Sequence, residues 1–199
     1  MVLQTLVAGS KPSPEHQEWH RFAGELATGI VKVHRLDSPS ARSVALPYKR
    51  YYEVNRLRVP DWATQSSVWV EAIKMAALPE PTGRQCFIHR DYHHGNTLWD
   101  KGQLTAIIDW DRGSWGSPSI DLARARQNLV IAYDAGLADS FTRAYRELTG
   151  DALDDLAYWD IVDILDGTPD ELFTGPDGAD RILRLETHLR IALAEFCRP

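Results

Sequence analysis

The chain has 199 residues and a mass of 22.5 kDa, with 44% hydrophobic and 25% charged residues, enough for one domain with a substantial core. Its formal net charge of -6 and pI near 5.6 argue against nucleic-acid or anionic-membrane partners, which select basic faces. No apolar run approaches the roughly 20 residues needed to span a bilayer.

The N-terminal "MVLQTLVAGSKPSPEH" lacks the charged and apolar regions of a signal peptide. The two cysteines, Cys86 and Cys197, suggest no disulfide framework. A reduced, cytoplasmic protein is the expectation.

Residues 2 to 8 form a short apolar stretch suited to an edge strand, and "GSKPSPEH" turns the chain. Ser13, Pro14 and Glu15 read as a helix start: a hydroxyl cap, a proline in the first turn and an acid near the positive helix end. Trp19, Phe22, Ala23, Leu26, Ile30 and Val33 recur at three- and four-residue steps, predicting an amphipathic helix over 14 to 36. A second helix is predicted from Ser67 to Leu78. "CFIH", from Cys86, reads as a short buried strand, and "TLWDKGQLTAIID" as a hairpin turning at Lys101 and Gly102. "SWGSPS" is expected to be a loop ending in a cap at Ser117 and Pro118. Helices are predicted over 119 to 133, 138 to 149, 152 to 165 and 179 to 196, with Gly136 and Gly150 at the first two boundaries. The fold class is α+β and mostly helical, with a small β-hairpin carrying the polar residues.

In "HRDYHHGN", His89, Asp91 and Asn96 are spaced H-x-D-x-x-x-x-N directly after an apolar strand. Beyond Asn96 the next apolar strand ends in Asp109, so a strand, loop, hairpin and second strand would gather Asp91, Asn96 and Asp109 at one end. Phosphoryl transfer uses such a set: an acid to orient the attacking hydroxyl and take its proton, and hard oxygen ligands for Mg²⁺ on the phosphates. Against this stands a plain reading of H-x-D as a polar turn with a hydrogen-bonded histidine. A zinc site from His89, Asp91 and His93 is a further alternative, disfavoured because the adjacent His93 and His94 should point apart.

"HRDYHHGNTLWD" followed by "AIIDWDRGSWGSPSIDLA" resembles the catalytic segment of aminoglycoside phosphotransferases and their choline-kinase-like relatives. "LATGIVKVHRLDS" is similar to the helix that precedes that segment, and "LQTLVAGSKPS" to the hinge strand and linker. The resemblance spans nearly the whole chain, with its specific part at residues 87 to 124. It implies the C-terminal lobe of a protein-kinase-like fold over residues 1 to 199. It implies Asp91 as catalytic base, His89 as its buried support, Asn96 and Asp109 as Mg²⁺ ligands, and Asp121 as a structural acid bracing the loop. Asp111 is placed to touch metal or substrate. The implied donor is ATP or GTP, and the acceptor a small-molecule hydroxyl.

No glycine-rich phosphate cover occurs, and Lys11, Lys32 and Lys74 lack the strand context of a kinase lysine. The N-terminal nucleotide-binding lobe is therefore absent from this chain, which is either part of a longer kinase or a short form. An alternative is a non-catalytic binding module, an isolated lobe prone to self-association through the apolar face its partner lobe would cover. Between Asp151 and Asp180 there are ten acidic residues and no lysine or arginine, which suggests either a solvated face or an acidic wall drawing a cationic, aminoglycoside-like substrate.

Overall fold

The computed structural model describes residues 7–15, 18–36, 42, 45–167 and 173–198. Helix α1 (Trp19–His34) buries Phe22, Ala23, Leu26, Ile30 and Val33 along one face, the stripe that its apolar spacing dictates. It starts later than the expected site at Ser13. The Glu15 N–H donates to the Glu18 carboxylate, and Glu18 itself is the N-cap. Of the expected edge strand at 2 to 8, residues 2 to 6 lie outside the described residues. Just beyond it, Ser10 forms an antiparallel bridge to Trp99 through backbone hydrogen bonds of 2.8 and 2.9 Å.

The chain continues through β1 (Leu46–Pro47), a 3-10 turn at Val54–Arg56, α2 (Ser66–Ala76) and β2 (Cys86–Ile88). A second 3-10 turn, His94–Asn96, leads into the antiparallel hairpin of β3 (Thr97–Asp100) and β4 (Gln103–Ile107). Lys101 and Gly102 both have positive φ, 49° and 73°, as in the tight turns whose twist matches that of paired strands. The stretch expected to be a loop holds instead β5 (Ser114–Gly116). It is the middle of a three-stranded sheet, parallel to β1 and antiparallel to β2. Strands this short carry no periodicity, and they form because β2 offers a paired edge.

Four helices complete the lobe. Helix α3 (Pro118–Ala132) is capped as expected: Ser117 Oγ accepts the Ser119 N–H, with Pro118 in the first turn. Helix α4 (Ala135–Thr149) begins earlier than predicted, because the Asp134 carboxylate accepts the Leu137 N–H and draws Gly136 into the first turn. It ends at Gly150, whose φ of 71° suits a left-handed C-cap. Helices α5 (Leu156–Gly167) and α6 (Gly178–Phe196) follow. Helix α3 is buried on almost every side, packed by α4, α5 and α6.

Two main cores result. One joins α1, α3 and α4 through Leu26, Ile30, Leu129, Leu137, Phe141 and Tyr145; the other joins α2, α5 and α6 around Trp69, Ile161, Leu185 and Leu189. The first core holds the site from beneath. Tyr92, fully buried, donates from its hydroxyl to the Leu26 carbonyl at 2.7 Å and so ties the polar loop to α1. Gly29 makes room for this: a Cβ there would meet the Tyr92 hydroxyl at 3.4 Å and Leu104 at 3.3 Å. No helix of the described residues is long and apolar enough to cross a membrane.

Candidate active site

The polar loop after β2 is held by one buried carboxylate. Asp121, in the first turn of α3, accepts the backbone N–H of His89 at 2.8 Å and of Arg90 at 2.6 Å. The ring of His34, at the end of α1, donates to the same group from Nε2 at 2.9 Å, with its Nδ1 2.9 Å from the Tyr145 hydroxyl. Asp121 and His89 are completely buried. Arg90 has a φ of 71°, a backbone state that costs a non-glycine residue on the order of 1 kcal/mol or more. The Asp121 bonds offset that cost and turn the next residue, Asp91, outward.

His89 links this loop to the strand end carrying Asp109. Its Nε2 donates to the Ile108 carbonyl at 2.9 Å, while its Nδ1 accepts the Asp91 N–H at 3.3 Å. A carbonyl only accepts and an amide N–H only donates, so the ring proton sits on Nε2. The Ile108 N–H donates to the Asn96 carbonyl at 2.9 Å. On the other side of Asp109, the Trp110 ring lies 4.4 Å from that of His89 and stacks on Phe87 at 5.9 Å. Both neighbours of Asp109 are thereby pinned to the loop that bears Asp91 and Asn96. Asp109 itself has a φ of 67° and is exposed, a second strained backbone position in the same place.

The Asn96 amide nitrogen donates to the Asp91 carbonyl at 3.1 Å and to its Oδ2 at 3.2 Å. Both partners are acceptors, so the NH₂ must face them, leaving the amide oxygen for another ligand. The residues thus offer oxygen donors of the kind a hard cation takes, an amide oxygen from Asn96 and an exposed carboxylate from Asp109. Among the described residues, no three His, Cys, Asp or Glu side chains are grouped as a metal cage. Mg²⁺ does not require one, since it keeps waters and binds through one or two protein oxygens plus phosphates.

Arg124, which sequence reasoning missed, adjoins Asp91. Its Nε lies 3.5 Å from Asp91 Oδ1 and 3.2 Å from Asp163 Oδ1, with the side chain nearly buried. The signal was available: Arg124 follows Asp121 by three residues, on the same face of α3. Burial pushes the Asp163 carboxyl up to about 7, against the lowering effect of Arg124. His93 Nε2 stands 3.8 Å from Asp91 Oδ2, and burial holds that imidazole below its ordinary range. His94 turns toward Tyr133, with ring centroids 5.3 Å apart, and burial lowers it to about 4. Lys11 donates to the Gly95 carbonyl, tying the N-terminal linker to the loop. Asp111 is largely exposed and paired with Arg112 at 3.2 Å.

The acidic stretch is neither a solvated face nor an open wall over most of its described length. Asp155 accepts the Ser117 and Ser119 hydroxyls, both at 2.6 Å, and Asp160 is buried against Arg126 at 3.1 Å. Asp166 accepts the backbone N–H groups of Tyr51 and Tyr52 at 2.7 and 2.8 Å. These acids face inward because α5 lies against α3 and the 48–52 segment, which supply the donors. Asp154, Asp177 and Asp180 are exposed, while Asp170 and Glu171 lie outside the described residues.

The family model described as "Phosphotransferase enzyme family" matches residues 1–159. No curated protein matches the chain. Among solved structures, an aminoglycoside-3'-phosphotransferase of type VIII superposes with a TM-score of 0.57 at 17% identity, covering 78% of this chain and 64% of the other. A ternary complex of a thermostable mutant of aminoglycoside phosphotransferase APH(4)-Ia with ADP and hygromycin B gives 0.61 at 16%, covering 92% and 67%. The macrolide 2'-phosphotransferase MphH from Brachybacterium faecium gives 0.55 at 16%, covering 98% and 69%. The chain spans about two thirds of the length of these structures. Their common architecture and the match over most of its length make this chain a member of the phosphotransferase enzyme family, with the fold of the kinase-like C-terminal lobe.

Proposed function

We propose that this lobe transfers the γ-phosphoryl group of ATP or GTP to a hydroxyl of a small molecule, with Asp91 as the base. The observation that carries the reading is the pinning of Asp109's two neighbours to the loop of Asp91 and Asn96, through the Ile108 hydrogen bonds and the contact of the Trp110 ring with His89. Support also comes from the strained backbone at Arg90 and Asp109, since such positions cluster where a fold spends stability on function. The relatives whose structures hold ADP or AMP-PNP with hygromycin B support a nucleotide donor and a small-molecule acceptor.

In this reading Asp91 accepts a hydrogen bond from the acceptor hydroxyl and takes its proton as the oxygen bonds to the γ-phosphorus. The bond from that phosphorus to the bridging oxygen breaks, and the nucleoside diphosphate leaves. Asn96 and Asp109 would hold Mg²⁺, which supplies charge neutralisation on the phosphates when bound. Arg124 and the Asn96 amide keep the Asp91 carboxylate in one orientation. His89 fixes the backbone of Asp91, and Asp121 braces the loop. The nucleotide-binding lobe is absent from this stretch of chain, and a cytoplasmic setting follows from the need for a nucleoside triphosphate.

The test is Asp91→Ala in the complete enzyme, assayed for phosphotransfer and, separately, for Mg-nucleotide binding. Loss of a positioned base lowers turnover about 10²–10⁴-fold and leaves nucleotide affinity unchanged. Equal turnover of variant and parent would remove Asp91 from the reaction.

A further inference from the structure

The cleft beside the catalytic loop has the opposite charge to that expected from the acidic helices. It is an open space of about 490 Å³ bounded by Leu46, Pro47, Lys49, Arg90, Asp111 and Arg112. Among the described residues its one acid, Asp111, is already paired with Arg112. Arg90 immediately precedes Asp91, so this cleft adjoins the residue assigned as base.

Two of the cations, Arg90 and Arg112, are held in place. The Arg90 guanidinium sits 4.2 Å over the Tyr51 ring and 5.2 Å over that of Tyr48, and one of its amines donates to the Lys49 carbonyl. Arg112 lies 5.5 Å from the centroid of the same Tyr51 ring, so two guanidinium groups share one tyrosine at the cleft. The Arg90 Nε is buried and has no hydrogen-bond acceptor among the described residues. A desolvated guanidinium N–H in that state gains most from an oxyanion, which satisfies the donor and the charge together. Two of the nearby acids are committed elsewhere. Asp163 faces Arg124, and Asp166 faces the backbone of Tyr51 and Tyr52.

We propose that this cleft binds an oxyanion of the acceptor, so that the compound phosphorylated is an alcohol bearing a carboxylate or phosphate group rather than a polyamine. The word acceptor rests on phosphotransfer at Asp91, but the anion subsite exists with or without that chemistry. Lys49 and Arg112 supply exposed charge at the cleft, and the Arg90 guanidinium, stacked on Tyr51, supplies a fixed one.

Inorganic phosphate and acetate titrated separately into the 199-residue chain, followed by amide NMR shifts, test the proposal. At least one anion is expected to bind saturably, moving the Arg90, Arg112 and Gly113 resonances, and the stronger of the two identifies the group recognised. The Lys49→Gln/Arg112→Gln double variant changes two exposed side chains, and circular dichroism verifies that it folds. It is expected to bind at least about 10-fold more weakly, as the loss of two charged partners implies. Absence of saturable binding by either anion, or equal binding by the double variant, overturns the proposal. Anion binding in a complete enzyme that transfers no phosphoryl group would sink the catalytic reading and leave the subsite standing. Efficient transfer to a polyamine without anion binding would sink the subsite alone.

Discussion

Replacing Asp121 by asparagine keeps the shape of the side chain and removes its charge and one of its two acceptors. The carboxylate is fully buried and accepts three hydrogen bonds, from the backbone of His89 and Arg90 and from the ring of His34, at 2.8, 2.6 and 2.9 Å. The amide oxygen of asparagine can keep some of these, but its NH₂ must then face a donor. At least one buried donor is stranded, costing about 1–3 kcal/mol, and the retained bonds lose their charge assistance, about 1 kcal/mol each. Relief of carboxylate desolvation offsets part of this, leaving a net loss of about 3 kcal/mol. In a protein of this size that corresponds to a fall in Tm of roughly 6–12 °C. Urea unfolding followed by circular dichroism measures the loss. Amide hydrogen exchange at His89 and Arg90 locates it, because the strained Arg90 backbone loses its anchor. A loss below about 0.5 kcal/mol, or unchanged exchange at those two amides, would refute the view that Asp121 holds the loop.

Glu186 plays a similar part for α2, accepting the N–H groups of Thr64 and Gln65 at 2.8 and 3.1 Å and the Trp69 indole at 3.0 Å. Glu186→Ala strands these donors and is expected to cost roughly 3–5 kcal/mol in chemical denaturation, while Glu186→Gln costs less. The Asp163 carboxyl, raised from 3.8 to about 7 chiefly by burial, keeps its proton in the native state while the unfolded chain ionises. The native state therefore loses stability as pH rises from about 4 to about 7, and the loss levels off above that. His94, lowered from 6.5 to about 4 by burial, gives the opposite slope over much of the same window, so the two partly cancel in the parent protein. Asp163→Asn should gain stability relative to the parent as pH rises through that window, read as the difference between two urea midpoints; parallel curves would contradict it.

Local chemistry made much of this protein readable. The spacing of His89, Asp91 and Asn96, the hairpin turning at Lys101 and Gly102, and the cap at Ser117 and Pro118 are all set by residues within a few positions of one another. Helices α1, α2 and α6 announced themselves because an apolar stripe repeats along each. The start of α4 moved because Asp134 accepts the Leu137 N–H, while Glu18 takes the Glu15 N–H ahead of α1. Tertiary structure alone decided the β1–β5–β2 sheet, since strands of two or three residues have no period and exist only when an edge is presented to them. It also decided the fate of the acids on and before α5. A run of aspartates looks the same in sequence whether it faces water or partners such as Arg126, Ser117 and the Tyr51 backbone, because charge burial depends on donors more than 30 residues away. The same distance hid the basic cleft at Lys49, Arg90 and Arg112, which assembles from segments that meet only in the folded chain.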